Sequence, residues 1–414
     1  GCLHVGVAQL DQQLTTIAGA YYPIEYGSAR VIAVTGTNGK TSCCYYIAGL
    51  LAHLGYKLAL ATTVASGVWP DQLQPSSQTT ADVFSNYRFI QEQAAHVDFI
   101  ILEASSHAIT QGRLEGLRID LALYTHLSPE HLDYHGSIKD YAAAKAQLFA
   151  HPGLKKAVIN SDCPYSEIMC KALKVQTQLR LVSTQETCAD FVMTKQDETH
   201  YQIRCGNEVF QKKFSSIAPF MRHNQLLAFA VVAQYHKPCQ SMFDALDTLC
   251  CPPGRMECYK GKDHIQVWVD YAHTGDAFLK VLKYVKSQST GPLTVVFGCG
   301  GDRDRTKRPH MAQIVEQYAD TIFVTEDNSR SEALETIFAD IKKGFSAQKP
   351  IHWIHSRPEA VQQAISSAGE NTSVVLLGKG HETQQYQACG GEAYDERAFA
   401  QHVLAQKDKK NVLV

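Results

Sequence analysis

The residues of this chain with the clearest chemical meaning are Gly36-Thr-Asn-Gly-Lys-Thr41. A short apolar strand from Val31 runs into this glycine loop, and a helix-like stretch from Ser42 to Leu54 follows. Backbone N–H groups of such a loop point at phosphate oxygens, and the N-terminus of the next helix favours negative charge. Lys40 is long enough to reach terminal phosphates, and the Thr41 hydroxyl can bind magnesium. Gly36, Thr37, Asn38, Gly39, Lys40 and Thr41 therefore read as a site for a nucleoside triphosphate. One departure is visible: the longer phosphate-loop pattern has glycine where Val34 stands, so only the shorter Gly36-x-x-Gly39-Lys-Thr form is present.

Three further residues could share that chemistry. Glu103 ends the apolar run Phe99-Ile-Ile-Leu, and a carboxylate at the carboxyl end of a buried strand faces the crevice where open α/β sheets bind ligands. Downstream of a phosphate loop, a magnesium role suits it. The run Thr125-His-Leu-Ser-Pro-Glu-His-Leu-Asp-Tyr-His-Gly136 delivers His131 and Asp133 near the same edge. Tyr141-Ala-Ala-Ala-Lys145 places one lysine on a helix of small residues. Taken alone, His131 reads as structural and Lys145 as an exposed lysine.

The elements that must position these residues alternate. Lys57–Thr62, Val97–Glu103 and Ile119–His126 read as buried strands, with helices around Asp82–Ala95 and Lys139–Phe149, which predicts parallel strands with crossover helices. Lys156–Asn160 and Leu179–Val182 read as two more strands. Phe191–Phe214, around Cys205-Gly-Asn, reads as a hairpin, and His223–Tyr235 as a helix. Cys251-Pro-Pro-Gly254 is the strongest punctuation and is taken as a domain boundary. Beyond it, strands are expected at Ile265–Asp270, Leu293–Phe297, Thr321–Thr325, Ile351–Ile354 and Ser373–Leu377, giving a second open α/β unit.

Composition narrows the field. A formal charge of −2 over 414 residues offers no global electrostatic case for nucleic acid or an anionic membrane. No apolar run approaches membrane-spanning length, so no membrane insertion is expected. The opening Gly1–Val5 lacks a basic region followed by a long apolar stretch, so no secretory leader is read there. The 13 cysteines are odd in number and include no C-x-x-C pair, which reads as small buried hydrophobes in a reducing cytoplasm.

In this order, GTNGKT, E-x-S-S-H, S-x-E-H-L-D-Y-H-G and A-A-K resemble the Mur ligase family. In the second half, Gly254-Arg-Met-Glu257, Asp270-Tyr-Ala-His-Thr274, Phe297-Gly-Cys-Gly-Gly-Asp-Arg-Asp304, Asp327-Asn-Ser-Arg330 and Gly378-Lys-Gly-His-Glu382 resemble the branch that adds the third amino acid of the peptidoglycan stem peptide. GTNGKT alone would also admit folylpolyglutamate synthetases. The resemblance runs from about Leu10 to beyond Glu382. It implies an α/β fold: a central P-loop-type ATPase domain with a mostly parallel sheet, and a C-terminal Rossmann-like α/β domain. It also implies ATP and Mg2+ as cofactors, with UDP-MurNAc-L-Ala-D-Glu and meso-diaminopimelate as substrates joined through an acyl phosphate. A cytoplasmic monomer is expected. The alternatives are a ligase for another acceptor, such as a free muropeptide, and a catalytically silent nucleotide-binding scaffold.

The resemblance also assigns residues. Lys40, Glu103, His131 and Lys145 would be catalytic, with Thr41, Glu103, His131 and a carbamylated Lys145 around the metal. Asn224, Arg255, Asp270 and His273 would join the loop in holding ATP, with Arg255 reaching the phosphates on domain closure. Thr79, Thr80, Ser105, Gln111 and Arg113 would hold the acceptor peptide. Arg303, Asp327, Asn328, Arg330, Gly378 and Glu382 would hold the incoming amino acid. Arg330 suits the second carboxylate that diaminopimelate has and lysine lacks. Two positions depart from the family: Ser329 stands where proline is usual, and Gln78-Thr-Thr-Ala81 replaces N-T-T-P. Family members carry a whole uridine-binding domain before the phosphate loop, and about thirty residues are too few for one. Residues 1–28 are thus expected to be the remnant linker of such a domain, 29–250 the ATP-binding domain and 251–414 the amino-acid-binding domain. Gln9–Tyr22 would form the linking helix.

Overall fold

The computed structural model describes residues 9–185, 188–197, 199–214, 217–346, 349–388 and 390–410. The Gly1–Val5 stretch, read above for a leader, lies outside them. The chain divides into two compact units. One ends at Ser128 and resumes over His135–Cys250; the other comprises Pro129–Tyr134 and the chain from Cys251 onward. A helix spans Leu10–Tyr21, where one was expected at Gln9–Tyr22.

The first unit is built on one eleven-stranded sheet. Its parallel centre consists of β1 (Arg30–Thr35), β2 (Leu58–Ala61), β5 (Phe99–Glu103), β6 (Leu121–Tyr124), β7 (Lys156–Asn160) and β8 (Gln178–Ser183). A hairpin of β3 (Ala65–Val68) and β4 (Gln72–Pro75) closes one edge. The other edge carries β9 (Phe191–Lys195), β10 (His200–Cys205) and β11 (Glu208–Lys213). The hairpin expected across Phe191–Phe214 is therefore a three-stranded antiparallel meander. The β3–β4 pair was not expected: its short, half-exposed strands carry no apolar alternation.

Strand periodicity divides the core between the two sheet faces. Ile32 and Val34 of β1, Phe99 and Ile101 of β5, and Leu121 and Leu123 of β6 pack into one apolar cluster with the helices Lys40–His53 and Pro219–Val232. Val31, Ala33, Ile100, Leu102, Ala122 and Tyr124 pack into the opposite cluster, against the helices Val83–Ala94 and Ile138–Ala146. Strands covered on both faces read as continuous apolar runs, which is why they were legible. Truncating a central residue such as Ile101 to alanine would cost about 2–5 kcal/mol.

The second unit has a six-stranded sheet in the order β12 (Glu257–Lys260), β13 (Gln266–Asp270), β17 (Ser373–Leu377), β14 (Leu293–Phe297), β15 (Thr321–Val324) and β16 (Ile351–Trp353). All neighbours are parallel except β12 with β13. A separate hairpin, β18 (Gln384–Gln387) with β19 (Gly390–Ala393), follows β17. Among the described residues no helix is long and apolar enough to cross a membrane, and the described cysteines are all free.

Candidate active site

In the first unit, three adjacent parallel strands end together. Register pairs Val34 with Glu103 and Thr35 with Tyr124, so the phosphate loop, Glu103 and Thr125 all leave the carboxyl edge of the sheet. Gly36 and Gly39 have φ of 148° and 88°. A Cβ on Gly36 would lie 2.0 Å from Thr125 Oγ1, and one on Gly39 would lie 2.7 Å from Asn224 Oδ1. The loop thus needs glycine for conformation and for close approach. It also places Asn224, on the helix Pro219–Val232, directly beside it.

Lys40 opens the helix Lys40–His53 and curls back, donating Nζ to the carbonyls of Gly36 at 3.0 Å and Thr37 at 2.9 Å. Thr41 is buried one residue into the same helix. Lys145 is 1% exposed, not the surface lysine its local sequence suggests. Its helix begins at a Ser137 cap and carries Nζ to the Gly36 carbonyl at 2.9 Å, 4.4 Å from the Tyr141 ring centre. Tyr141 in turn accepts a hydrogen bond from Thr37 Oγ1 at 3.1 Å.

Glu103 is also 1% exposed. Its carboxylate accepts from the Thr63 amide and the Thr63 hydroxyl, each at 3.0 Å, and from no basic side chain among the described residues. A buried carboxylate bound only by neutral donors fits a cation, so these residues fit magnesium. Among the described residues no group of three or more His, Cys, Asp or Glu side chains is gathered for a metal. A metal here would rest on Glu103, the Thr41 hydroxyl and ligands from outside the protein, which suits a magnesium ion that keeps waters and phosphates. Cys43 and Cys44 lie nearby, and burial raises both thiols well above their usual range, so they offer no reactive thiolate.

The five expected acceptor-binding residues gather beside Glu103. Thr80 Oγ1 donates to the Glu103 carbonyl at 2.8 Å and accepts from the Ser105 amide at 3.0 Å. The Thr79 hydroxyl hydrogen-bonds that of Thr63 at 3.1 Å. Arg113 donates to the Thr80 carbonyl at 2.9 Å and to Gln111 Oε1 at 2.6 Å. The departing residue Gln78 joins the same network, accepting from Arg113 at 3.2 Å. A cavity of ≈ 160 Å³ opens here, lined in part by Thr62, Gln78, Thr79, Thr80 and Glu103. Sequence reasoning missed Thr63, whose only signal was its place just after β2.

In the second unit, Asp270 ends β13 beside Leu377 of β17, and Phe297 of β14 pairs with Val324 of β15. Asp270, the Gly298–Asp304 loop, Asp327–Arg330 and Gly378–Glu382 therefore share the carboxyl edge where open sheets bind ligands. Asp270 accepts the amides of Met256 at 2.8 Å and Ala272 at 2.7 Å, pinning the Arg255 and His273 segments. Arg255 lies over the Tyr271 ring at 4.3 Å. His273 bonds the Tyr271 carbonyl through Nδ1 at 2.8 Å and Glu130 through Nε2 at 2.7 Å.

Glu130 was not singled out from the sequence. Burial pushes its carboxyl up, but the charge and hydrogen bond of His273, then His131 and Lys307, outweigh this and hold it well below the usual range. His131 belongs to this second unit, with φ of 54° and Nε2 at 3.7 Å from Glu130.

The Asp327–Arg330 loop has a distinct electrostatic character. Arg330, at φ 52°, donates Nη1 to the carbonyls of Gly301 at 2.8 Å and Asn328 at 3.2 Å. Its Nε and Nη2 have no protein partner among the described residues. Burial first, and the neighbouring Arg303 second, lower its pKa, and the carboxylates of Asp327, Glu382 and Asp302 offset this only in part. Asn328 Nδ2 donates to Glu382 Oε2 at 2.8 Å. Asp327 is buried, accepts the Asn328 amide at 2.6 Å, and closes over Gly378, where a Cβ would lie 2.6 Å from its Oδ2. Around Ser329, the Arg330 amide donates to the Tyr386 carbonyl at 3.1 Å, and Gly301 packs against the Ser329 carbonyl.

Beneath the loop, the fully buried Arg357 pairs with Glu396 and donates to the carbonyls of Leu377 at 2.8 Å and Glu326 at 3.3 Å. It thereby ties the ends of β15 and β17 together. Nothing in the local sequence of Arg357 marked it, because a helix-start arginine reads as solvated.

Comparison with known proteins agrees with this geometry. Residues 34–232 match the Mur ligase middle domain, and residues 254–380 match the Mur ligase, glutamate ligase domain. The chain is 38% identical over 387 residues to a UDP-N-acetylmuramoyl-L-alanyl-D-glutamate–2,6-diaminopimelate ligase of Pseudomonas syringae pv. tomato, covering 92% of this chain and 79% of that protein. It is 35% identical over 396 residues to the ligase of the same name from Haemophilus influenzae, covering 93% and 80%. A solved structure of such a ligase superposes with a TM-score of 0.66 at 32% identity, over 98% of this chain and 86% of that one. A Mycobacterium tuberculosis folylpolyglutamate synthase shares the fold at 18% identity and a TM-score of 0.71, over 88% of this chain and 92% of that one. The chain belongs to the Mur ligase family.

Proposed function

We propose that this protein is the ATP-dependent ligase that adds meso-diaminopimelate to UDP-MurNAc-L-Ala-D-Glu. The observation that carries the reading is the placement, at one carboxyl sheet edge, of both the Arg330 loop and the Glu382 loop, in a chain that also carries a phosphate loop. In this reading the side-chain carboxylate of D-Glu attacks the terminal phosphorus of ATP, and ADP leaves. The amine of the amino acid then attacks the acyl carbon and loses a proton, and phosphate departs.

The chain's task is alignment and charge neutralisation. Lys40 and the loop amides would hold the β- and γ-phosphates, with Asn224 bracing the loop. Thr41 and Glu103 are the groups that would hold magnesium, directly or through water. When bound, magnesium offsets phosphate charge and polarises the transferring group. Arg113, Gln111, Thr79, Thr80 and Ser105 would orient the acceptor. Arg255, Asp270 and His273 would serve the nucleotide. Arg303, Asp327, Asn328, Arg330, Gly378 and Glu382 would hold the zwitterionic end of diaminopimelate.

Lys145 is proposed to act as a carbamate. Its ammonium would lose one proton, and the amine would then add to CO2 and lose a second, turning a cation into an anion. The support is its burial against the Gly36 carbonyl that Lys40 also contacts. The protein would work in the cytoplasm as a monomer, on soluble substrates. The test is phosphate release in a mixture of ATP, the UDP-linked dipeptide and meso-diaminopimelate, with omission of each in turn. The product should have the summed mass of acceptor and amino acid less one water. ATP turnover indifferent to both other substrates would sink the reading.

A further inference from the structure

A carboxylate that holds a substrate ammonium needs one oxygen fixed and one oxygen open. Glu382 is built this way, and the residue that fixes it is Lys379. Lys379 is 0% exposed. Its Nζ donates to Glu382 Oε2 at 2.9 Å, to Asn328 Oδ1 at 3.0 Å and to the Gln384 carbonyl at 2.5 Å. Three N–H groups meet three acceptors, so the ammonium is saturated inside the protein and has no hydrogen left for a ligand.

Asn328 completes the arrangement. Its Oδ1 also accepts the Tyr386 amide at 2.9 Å, which fixes the amide orientation and turns Nδ2 toward Glu382 Oε2. Both donors to Glu382 thus fall on the same oxygen. Oε1 receives no donor among the described residues, and the side chain is 27% exposed. Lys379 also holds β18 through Gln384, and that strand meets the amide of Arg330 through the Tyr386 carbonyl. One buried ammonium therefore fixes both the open oxygen of Glu382 and the loop that carries the Arg330 fork. A ligand with an ammonium and a carboxylate on one carbon requires these two groups at a set separation.

We propose that Lys379 is a positioning residue that sets the preference of this site for a zwitterionic end group. The proposal rests on the reading of this edge as the amino-acid site. It acts through Glu382 and Asn328, without touching substrate.

The test compares wild type, Lys379→Met, Glu382→Gln and the double variant in full-length protein, by kcat and KM for meso-diaminopimelate, ATP and the UDP-linked dipeptide. Lys379→Met should raise the KM for meso-diaminopimelate about tenfold or more, the scale of a lost hydrogen bond to a charged group. The KM values for ATP and acceptor should stay within about threefold, because among the described residues Lys379 bonds only Glu382, Asn328 and Gln384. Lys379→Met with wild-type KM for the amino acid, or with all three KM values raised alike, overturns the proposal. The double variant should match Glu382→Gln within about twofold, since the two residues form one unit. A further tenfold loss in the double variant also overturns it. If Lys379→Met does not fold, the comparison of Glu382→Gln with the double variant, which carries no stranded carboxylate, decides the matter. Absence of product from wild type with meso-diaminopimelate overturns the functional reading and this inference together. Product from wild type with an indifferent Lys379 overturns this inference alone.

Discussion

Lys40 and Lys145 share one acceptor: both donate Nζ to the carbonyl oxygen of Gly36, at 3.0 Å and 2.9 Å. Two ammonium groups on one oxygen repel each other, and Lys145 is buried where water screens little. A carbamate on Lys145 would convert that repulsion into attraction. Lys145→Ala should therefore lower turnover by about 10²-fold or more, the scale of losing one preorganised charge. Bicarbonate should not restore it, whereas formate or acetate should restore part. A 13C signal from 13C-bicarbonate should appear in wild type and be absent from Lys145→Ala. Wild-type rates in the variant would refute the carbamate.

Glu103 and Thr63 give a second prediction. Glu103→Gln keeps the shape and can still accept from Thr63, but it removes the negative charge. The variant should remain folded, bind ATP, and need far more magnesium for turnover. Titrating magnesium against acceptor-dependent ADP release reads this directly. An unchanged magnesium requirement would show that Glu103 serves the fold and not the ion.

The parallel strands and their helices were legible because burial on both faces writes continuous apolar runs, as in Phe99–Leu102 and Leu121–Tyr124. The expected site residues were read through motif register, and in each unit several of them lie at a carboxyl sheet edge. What escaped were residues that act on other residues. Thr63 and Arg357 have no local pattern that separates them from surface polar groups, and Glu130 and Lys379 lie inside quoted motifs that assigned them no role. Their roles come from elements brought together across long sequence separations, as in the 39 positions that separate Arg357 from Glu396. The β3–β4 and β18–β19 hairpins escaped for a related reason: their exposed, polar strands show no period-two alternation.

Arg308 and Glu332 yield a pH prediction. Arg308 is fully buried, and Glu332 meets its Nη1 and Nη2 at 2.7 Å and 2.6 Å while also accepting the Asp302 amide at 3.0 Å. The hydrogen bond from Arg308 lowers the Glu332 pKa. A carboxyl lowered on folding adds stability that is complete above its unfolded pKa of about 4.3 and is lost as pH falls through the lower folded value. Thermal melts should therefore fall as pH drops below about 4.5. Glu332→Gln should melt lower at neutral pH and show a shallower acid decline. An acid decline identical to wild type would assign the effect to other carboxylates.

Arg330 and the Asn328–Glu382 pair carry the sharpest prediction about substrate choice. Arg330 is half-buried, and its lowered pKa reflects burial and the like charge of Arg303. Its Nε and Nη2 edge is the one a carboxylate can bridge with two parallel hydrogen bonds. Diaminopimelate brings a carboxylate and an ammonium to its distant end, which would satisfy Arg330 and Glu382 together. Lysine brings one amine to whichever end lies there and leaves the guanidinium without an anion. A buried charge missing its partner costs about 2–5 kcal/mol. At about 1.4 kcal/mol per decade, that is about 30-fold or more in discrimination. Competition between the two amino acids should show this preference in wild type, and Arg330→Ala should lose most of it through meso-diaminopimelate alone. Arg330→Lys should recover little, because an ammonium cannot present a planar fork. Equal use of both amino acids by wild type, or a preference for lysine, would show that Arg330 does not read the second carboxylate.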